Sequence, residues 1–303
     1  FDKMHNVGAL LVFEENYVEN DGFSAQRELM INSEYLFAGE EKNQKGMGGS
    51  VYDRLNQSLI GKFNYDYSGK YLAEFSFRYD GSSRFPKKDR WGFFPSGFLG
   101  WRLSEESFIK DHIPNLTNLK FRLSYGVMGD DSSAGIYPPT IVGYNINSAL
   151  GWIFDKDLMT GVSATAIPNE NLTWYTSHML NGGIDFDWNN GLISGSIDLF
   201  RRDRRGLLAT SLAIVPGTVG ASLPLQNLES DRTQGWEIVV AHKNKWNDFT
   251  YSISGQFSAS KSMWRTRMEN RARNSYDNWK THLNNRYKDI WWGYTALGQY
   301  QNY

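Results

Sequence analysis

The chain has no cysteine among its 303 residues. Disulfides, thiolate metal sites and cysteine nucleophiles are therefore excluded. It also has no apolar run near the roughly 20 residues that a membrane-spanning helix needs. Charge of one sign is scarce as well: the formal net charge is −1, which gives no electrostatic reason to expect nucleic acid as a partner. The five histidines, His5, His112, His178, His242 and His282, share no metal-ligand spacing, so no zinc site is expected. The glycine-rich GMGGS at 46–50 follows no strand–turn–helix pattern and reads as a flexible loop rather than a phosphate cradle. No cofactor is implied.

What the chain does have is alternation. In residues 70–80 (KYLAEFSFRYD), Tyr71, Ala73, Phe75, Phe77 and Tyr79 alternate with Lys70, Glu74, Ser76, Arg78 and Asp80, and only Leu72 breaks the polar series. A β-strand sends successive side chains to opposite faces, so one face is aromatic and the other charged. The pattern returns at 119–127, at 193–199 and at 249–260, where Phe249, Tyr251, Ile253 and Phe257 oppose Thr250, Ser252, Ser254 and Gln256. The polar set is too charged for a packed core, and the apolar set too aromatic for an ordinary wet surface. A lipid-facing barrel with a water-filled lumen satisfies both demands. Aromatic residues make up 15% of the chain, with 11 Trp and 17 Tyr, which suits membrane-interface belts. The mean hydropathy of −0.53 does not oppose this, because half of every barrel strand is polar.

Nine strands are expected, near 5–17, 51–66, 70–81, 93–103, 119–128, 175–188, 192–203, 233–244 and 249–262. The fold class is therefore all-β: an antiparallel transmembrane barrel. Connections alternate between short, as at Ser68-Gly69, Asn189-Asn190-Gly191 and 245–248, and long, as at 18–50, 82–92, 129–174, 204–232 and beyond 263. Short turns on one rim and long external loops on the other are the habit of bacterial outer-membrane barrels. Tyr65, Tyr67, Tyr71, Trp101 and Trp188 then fall on the lipid face at the short-turn rim, as an aromatic girdle. Both edges of a nine-stranded wall would be open, which lipid does not tolerate. Residues 1–303, starting at Phe1, are thus expected to be one partial barrel, completed by sequence outside this chain.

Residues 55–108 (LNQSLIGKFNYDYSGKYLAEFSFRYDGSSRFPKKDRWGFFPSGFLGWRLSEESF) resemble the barrel of SusC/RagA-type TonB-dependent transporters. The similarity continues in LKFRLSYGVMGDD (119–131), through 167–208, and in GYTALGQYQ (293–301). The resemblance implies a barrel of roughly 22 strands with a plugged lumen. It further implies TonB-driven import of a glycan- or peptide-like nutrient across the outer membrane, and a SusD-like surface lipoprotein that caps the barrel. The plug and the TonB-contact segment precede the barrel in that family and are not expected in these residues. A passive porin is the alternative within the same architecture, and a secreted β-rich carbohydrate-active enzyme the alternative from another class.

Candidate residues follow from the alternation. Lys62, Asn64, Glu74, Arg78, Asp80, Lys120, Arg122, Asp185, Asp187 and Asp198 are expected to face the lumen. Paired carboxylates can hydrolyse sugars, but a solvated mixed-charge wall explains these without catalysis, so no catalytic residue is assigned. In DFDWNNG (185–191) the glycine comes one position late for a calcium loop, and Ser196 stands where a bidentate Glu should, which favours a hairpin turn. Asp130-Asp131 and Asp155/Asp157 read as solvated loop acids in preference to a divalent-ion site. RRDRR (201–205) is either a solvated base cluster or a grip for anionic lipopolysaccharide or an acidic substrate. Among the loop aromatics, Tyr144, Trp152, Trp174 and Trp264 are the candidate substrate contacts, since aromatic faces stack on sugar rings and anchor interfaces.

Overall fold

In the computed structural model, every second residue of one strand meets every second residue of the next, and this pairing sorts the side chains into two faces. The structure describes residues 4–29, 35, 44–47, 49–135, 140, 143–164, 167–213, 216–296 and 298. Nine strands form one antiparallel sheet in sequential order: β1 (His5–Asp21), β4 (Val51–Tyr67), β5 (Tyr71–Ser82), β6 (Trp91–Arg102), β7 (Leu116–Asp130), β10 (Tyr175–Trp188), β11 (Ile193–Thr210), β12 (Leu225–Trp246) and β13 (Phe249–Thr266). Each expected strand is present. The four remaining strands make two small hairpins, β2 (Ser24–Arg27) with β3 (Gln44–Met47), and β8 (Tyr144–Phe154) with β9 (Asp157–Ala164). They lie within the links 18–50 and 129–174, which carried no strand expectation. The GMGGS loop is likewise corrected in part: Gly46 and Met47 pair with Ala25 and Ser24 in the β2–β3 hairpin, while Gly48 lies outside the described residues.

Register keeps like with like. Phe63 faces Phe75, Tyr67 faces Tyr71, and Tyr71 faces Trp101. Further along, Leu123 stands opposite Gly182, which stands opposite Leu199, which stands opposite Trp236. On the reverse face Asn64 pairs with Glu74, Lys120 with Asp185, and Asp198 with Glu237. A slip of one residue would exchange the two sets throughout a strand, so the alternation itself specifies the register.

The short-turn rim is held by turn chemistry. Ser68 and Gly69 take left-handed φ values of 53° and 68°, and the Gly69 N–H donates to Asp66 Oδ1 at 2.7 Å. Asn189, Asn190 and Gly191 are also left-handed, with the Gly191 N–H donating to Asp187 Oδ1 at 2.7 Å. DFDWNNG is therefore a hairpin turn. Between β6 and β7 the chain forms a short helix, α1 (Ser107–Lys110), and a seven-residue helix, α2 (Ser275–Thr281), follows β13.

At the other rim the strands overrun their expected ends. β11 continues to Thr210, and β12 starts at Leu225 and runs 22 residues. At about 3.3 Å per residue that is roughly 70 Å, more than a tilted strand uses to cross a hydrocarbon core of roughly 30 Å. The surplus, LQNLESDRTQ in β12, is polar and projects past the long-link rim. A bulge at Gly206 (φ 74°) marks the overrun, and Asn227 Nδ2 donates to its carbonyl at 2.7 Å.

Candidate functional site

On the outer face the greasy residues are open: Phe75 is 45% exposed and Ile253 67%. On the inner face the charged residues are paired. Lys62 Nζ lies 2.8 Å from Glu74, Arg78 Nε 3.1 Å from Asp80, and Arg122 bridges Asp185 at 2.8 Å and Asp198 at 3.0 Å. Lys120 sits over the Phe98 ring at 5.5 Å. Asn64 packs beneath Gly8 of β1, where any Cβ would strike its amide. Asp187 is taken up by its turn. The ten residues expected on the lumen side thus share one face, most of them in ion pairs or hydrogen bonds. A groove of roughly 830 Å³ runs along this face between β5 and β7, lined by Arg78, Phe94, Phe98, Arg122 and Asn181 among others.

Above the inner face the long links carry their own small core. Phe85, Ala134 and Leu172 are buried together, with Trp174 and Leu208 packed against them. Trp174 lies tilted against Phe85 and meets Phe94 edge-on, with centroids 5.0 and 5.3 Å away, and its Nε1–H donates to the Arg90 carbonyl at 3.0 Å. Among the four candidate aromatics it is therefore the one built into the loops. Asp130 and Asp131 are not solvated loop acids either. Asp130 accepts from Tyr175 Oη at 2.5 Å and from the Ser132 N–H at 2.7 Å. Asp131 accepts from Ser82 Oγ at 2.6 Å and pairs with Arg84. The side chains of Asn169 and Asn227 donate to the Leu225 and Thr173 carbonyls, tying these links to β12.

Two aromatics stand clear of that core. Tyr144 and Trp152, the latter 76% exposed, lie on β8 of the projecting hairpin. Trp264, on the inner side of β13, is sandwiched by cations: Lys288 Nζ at 3.8 Å and the Arg267 guanidinium at 4.1 Å from its ring centre. Lys288 also pairs with Asp231, 1% exposed, which Arg204 grips through two nitrogens. Sequence inspection missed Asp231, because its partners lie 27 and 57 residues away. It also missed Glu106, which gathers three donors at the opposite rim: Tyr71 Oη at 2.7 Å, Trp101 Nε1 at 3.2 Å and Lys70 Nζ at 3.1 Å. The hydrogen bonds from Tyr71, Trp101 and Lys70 hold its carboxyl below the usual carboxylate range. Among the described residues no group of His, Asp and Glu is arranged to hold a metal ion.

A sheet with an open apolar outside, an ion-paired inside and loops on one rim defines the wall of an outer-membrane β-barrel. The family described as TonB dependent receptor-like, beta-barrel, matches residues 15–303, and the chain belongs to it. It is 31% identical over 262 residues to a TonB-dependent receptor of Formosa agariphila, an alignment covering 85% of this chain and 25% of that protein. It is 37% identical over 200 residues to the TonB-dependent receptor SusC of Bacteroides thetaiotaomicron, covering 65% of this chain and 19% of that one. The chain therefore spans about a quarter or less of the length of these relatives. In fold it is similar to the RagAB peptide importer in its closed-closed state, with a TM-score of 0.72, 20% identity, and coverage of 89% of this chain and 29% of that one. Members of this family are receptors and transporters in the outer membrane, and this chain is an outer-membrane β-barrel protein.

Proposed function

We propose that the chain supplies part of the wall, lumen lining and external loops of a TonB-dependent importer of oligomeric nutrient, glycan or peptide. The observation that carries this reading is the division of one sheet into an open apolar face and an ion-paired face, in a chain of the TonB-dependent receptor family. The edges of the sheet at β1 and β13 do not pair with each other. In lipid their free N–H and C=O groups would each cost several kcal/mol, roughly. Further strands therefore close the barrel, and residues 1–303 form one unit of that larger domain.

Tyr144 and Trp152 are the contacts for ligand or for a capping lipoprotein of the SusD type, because their rings project beyond the loop core. Trp174 and Trp264 act behind them, fixing the loops that carry the contact. The inner carboxylates serve as a hydrated, charge-balanced lining, and no bond is made or broken there. Energy comes from the TonB complex acting on a plug within the lumen. The peptide class is the one named for the RagAB peptide importer, which this chain resembles in fold.

The test is uptake of labelled oligosaccharide and oligopeptide mixtures by cells carrying the intact protein, with and without TonB, together with purification of the intact protein to see which lipoprotein accompanies it. Uptake that stops without TonB, and a co-purifying lipoprotein, are expected. Uptake that continues unchanged without TonB would identify a passive pore.

A further inference from the structure

The basic run 201–205 is split by the strand. Arg202 and Arg204 turn inward, and Arg201, Asp203 and Arg205 turn outward. Outward residues of β11 begin as Ile193, Ile197 and Leu199 and then become charged at three successive outward positions. The eight steps from Ile193 to Arg201 amount to roughly 26 Å along the strand, or roughly 20 Å along the membrane normal at a tilt near 40°. That is close to the full height of an outward apolar band of roughly 25 Å. The charges therefore stand at the external edge of the hydrocarbon.

Neighbouring strands bring more cations to this belt. Arg232 stands opposite Asp203 and pairs with it at 2.5 Å, and Lys261 follows Gln234 in line with Arg201. Arg201 Nε donates to Asp203 at 2.9 Å, and the Lys261 ammonium rests 5.4 Å from the Tyr287 ring. Arg201, Arg205, Arg232 and Lys261 thus stand in this belt with one carboxylate, Asp203, which Arg201 and Arg232 engage, leaving three net positive charges. Below it lies an apolar groove of roughly 580 Å³ flanked by Leu123, Leu180, Leu199 and Trp236, with Arg201 and Lys261 at its rim. Gly182 forms its floor, where a Cβ would meet nothing within 4 Å.

We propose that this groove and its basic rim hold a phosphorylated lipid of the outer leaflet, acyl chain over Gly182 and phosphate on Arg201 and Lys261. Charge complementarity selects the occupant. Cations bordering hydrocarbon are costly unless an anion meets them, and a phosphate at the headgroup level does so while its acyl chain fills the apolar slot. The site is on the reverse of the transport wall, so it stands whether or not the import reading does.

Native mass spectrometry of the intact protein in mild detergent tests this, with lipid A and its dephosphorylated form as probes. The wild-type protein is expected to retain the phosphorylated lipid about tenfold better than the dephosphorylated one. The double variant Arg201→Gln/Lys261→Gln should lose that preference, and Gly182→Trp, which fills the slot, should weaken retention of both lipids. Arg232 is left in place so that Asp203 keeps a partner. If the double variant does not assemble, Lys261→Gln alone still decides, with about a threefold fall expected. Equal retention of the two lipids by the wild type overturns the proposal. So does an undiminished preference in the variants, or retention of a second copy of the chain in place of lipid.

Discussion

The two faces of β5 differ more from each other than either does from a soluble protein. Outward, Phe75 is nearly half exposed, with Phe63 beside it in register. Inward, one residue away, Glu74 is engaged by Lys62, and further along the same face the Asp198 side chain of β11, only 17% exposed, is engaged by Arg122 of β7. In a water-soluble domain the large apolar side chains would be the covered ones. Here the rings are as open as the ion-paired charges on the reverse face, Phe75 at 45% against Lys62 at 44% and Arg78 at 50%, so the solvent on the ring side is not water. Exposure alone would have suggested an aggregating sheet. Exposure combined with charge pairing identifies hydrocarbon on one side and a hydrated lumen on the other.

The sharpest way to break this comparison is to put one charge on each face. Phe75→Arg is expected to cost about 2–4 kcal/mol near midplane depth, whereas Ser76→Arg, hydrated in the lumen, should cost far less. Urea titration of the intact barrel in lipid vesicles measures both, and equal losses would refute the assignment of faces. The next effect comes from a third environment, the loop core. Leu172 is fully buried there. Leu172→Ala should cost about 2 kcal/mol, the low end for such truncations, because loops can partly collapse into the void. Since that core stands above the barrel, its loss should appear as faster proteolysis of residues 129–174 with the strands still assembled.

The faces and strands were legible because period-2 alternation is a local signal and survives tertiary context. The girdle residue Tyr71 was legible for the same reason, but its anchor Glu106 was not. That anchor depends on how α1 folds back beneath the rim, which 35 residues of intervening chain decide. Trp174 shows the opposite failure. An aromatic in a long link looks free to touch ligand, yet Phe85 and the Arg90 carbonyl, more than 80 residues upstream, take it into a core. The hairpin β8–β9 escaped notice because its sequence alternates only over Tyr144, Asn145, Ile146 and Asn147 before SALGWIF breaks the period. Strand ends slipped for a different reason: past the hydrocarbon, β11 and β12 keep pairing through RRDRRGLLAT and LQNLESDRTQ, where the apolar–polar alternation has stopped.

Within the lining, Arg122→Gln removes the shared partner of Asp185 and Asp198. All three side chains retain contact with the lumen, so water can replace much of what is lost, and the expected destabilisation is about 1 kcal/mol. A loss as large as that of Phe75→Arg would mean that the inner face is dry, and the comparison of the two faces would fail from the other side.

The smallest effect sits at the girdle and depends on pH. Glu106 accepts from Tyr71, Trp101 and Lys70, and these donors hold its carboxyl below the ordinary range. A carboxyl depressed by folding contributes its stability above the unfolded value, roughly 4.3, and loses it as pH falls through the lower folded value. Between roughly pH 5 and pH 3 the intact barrel should therefore lose a small increment of thermal stability. Glu106→Gln keeps two of the acceptor contacts in a neutral form and should flatten that part of the profile. A variant whose profile still falls as steeply as the wild type would show that the rim aromatics are held by the headgroup region itself and not by this carboxylate.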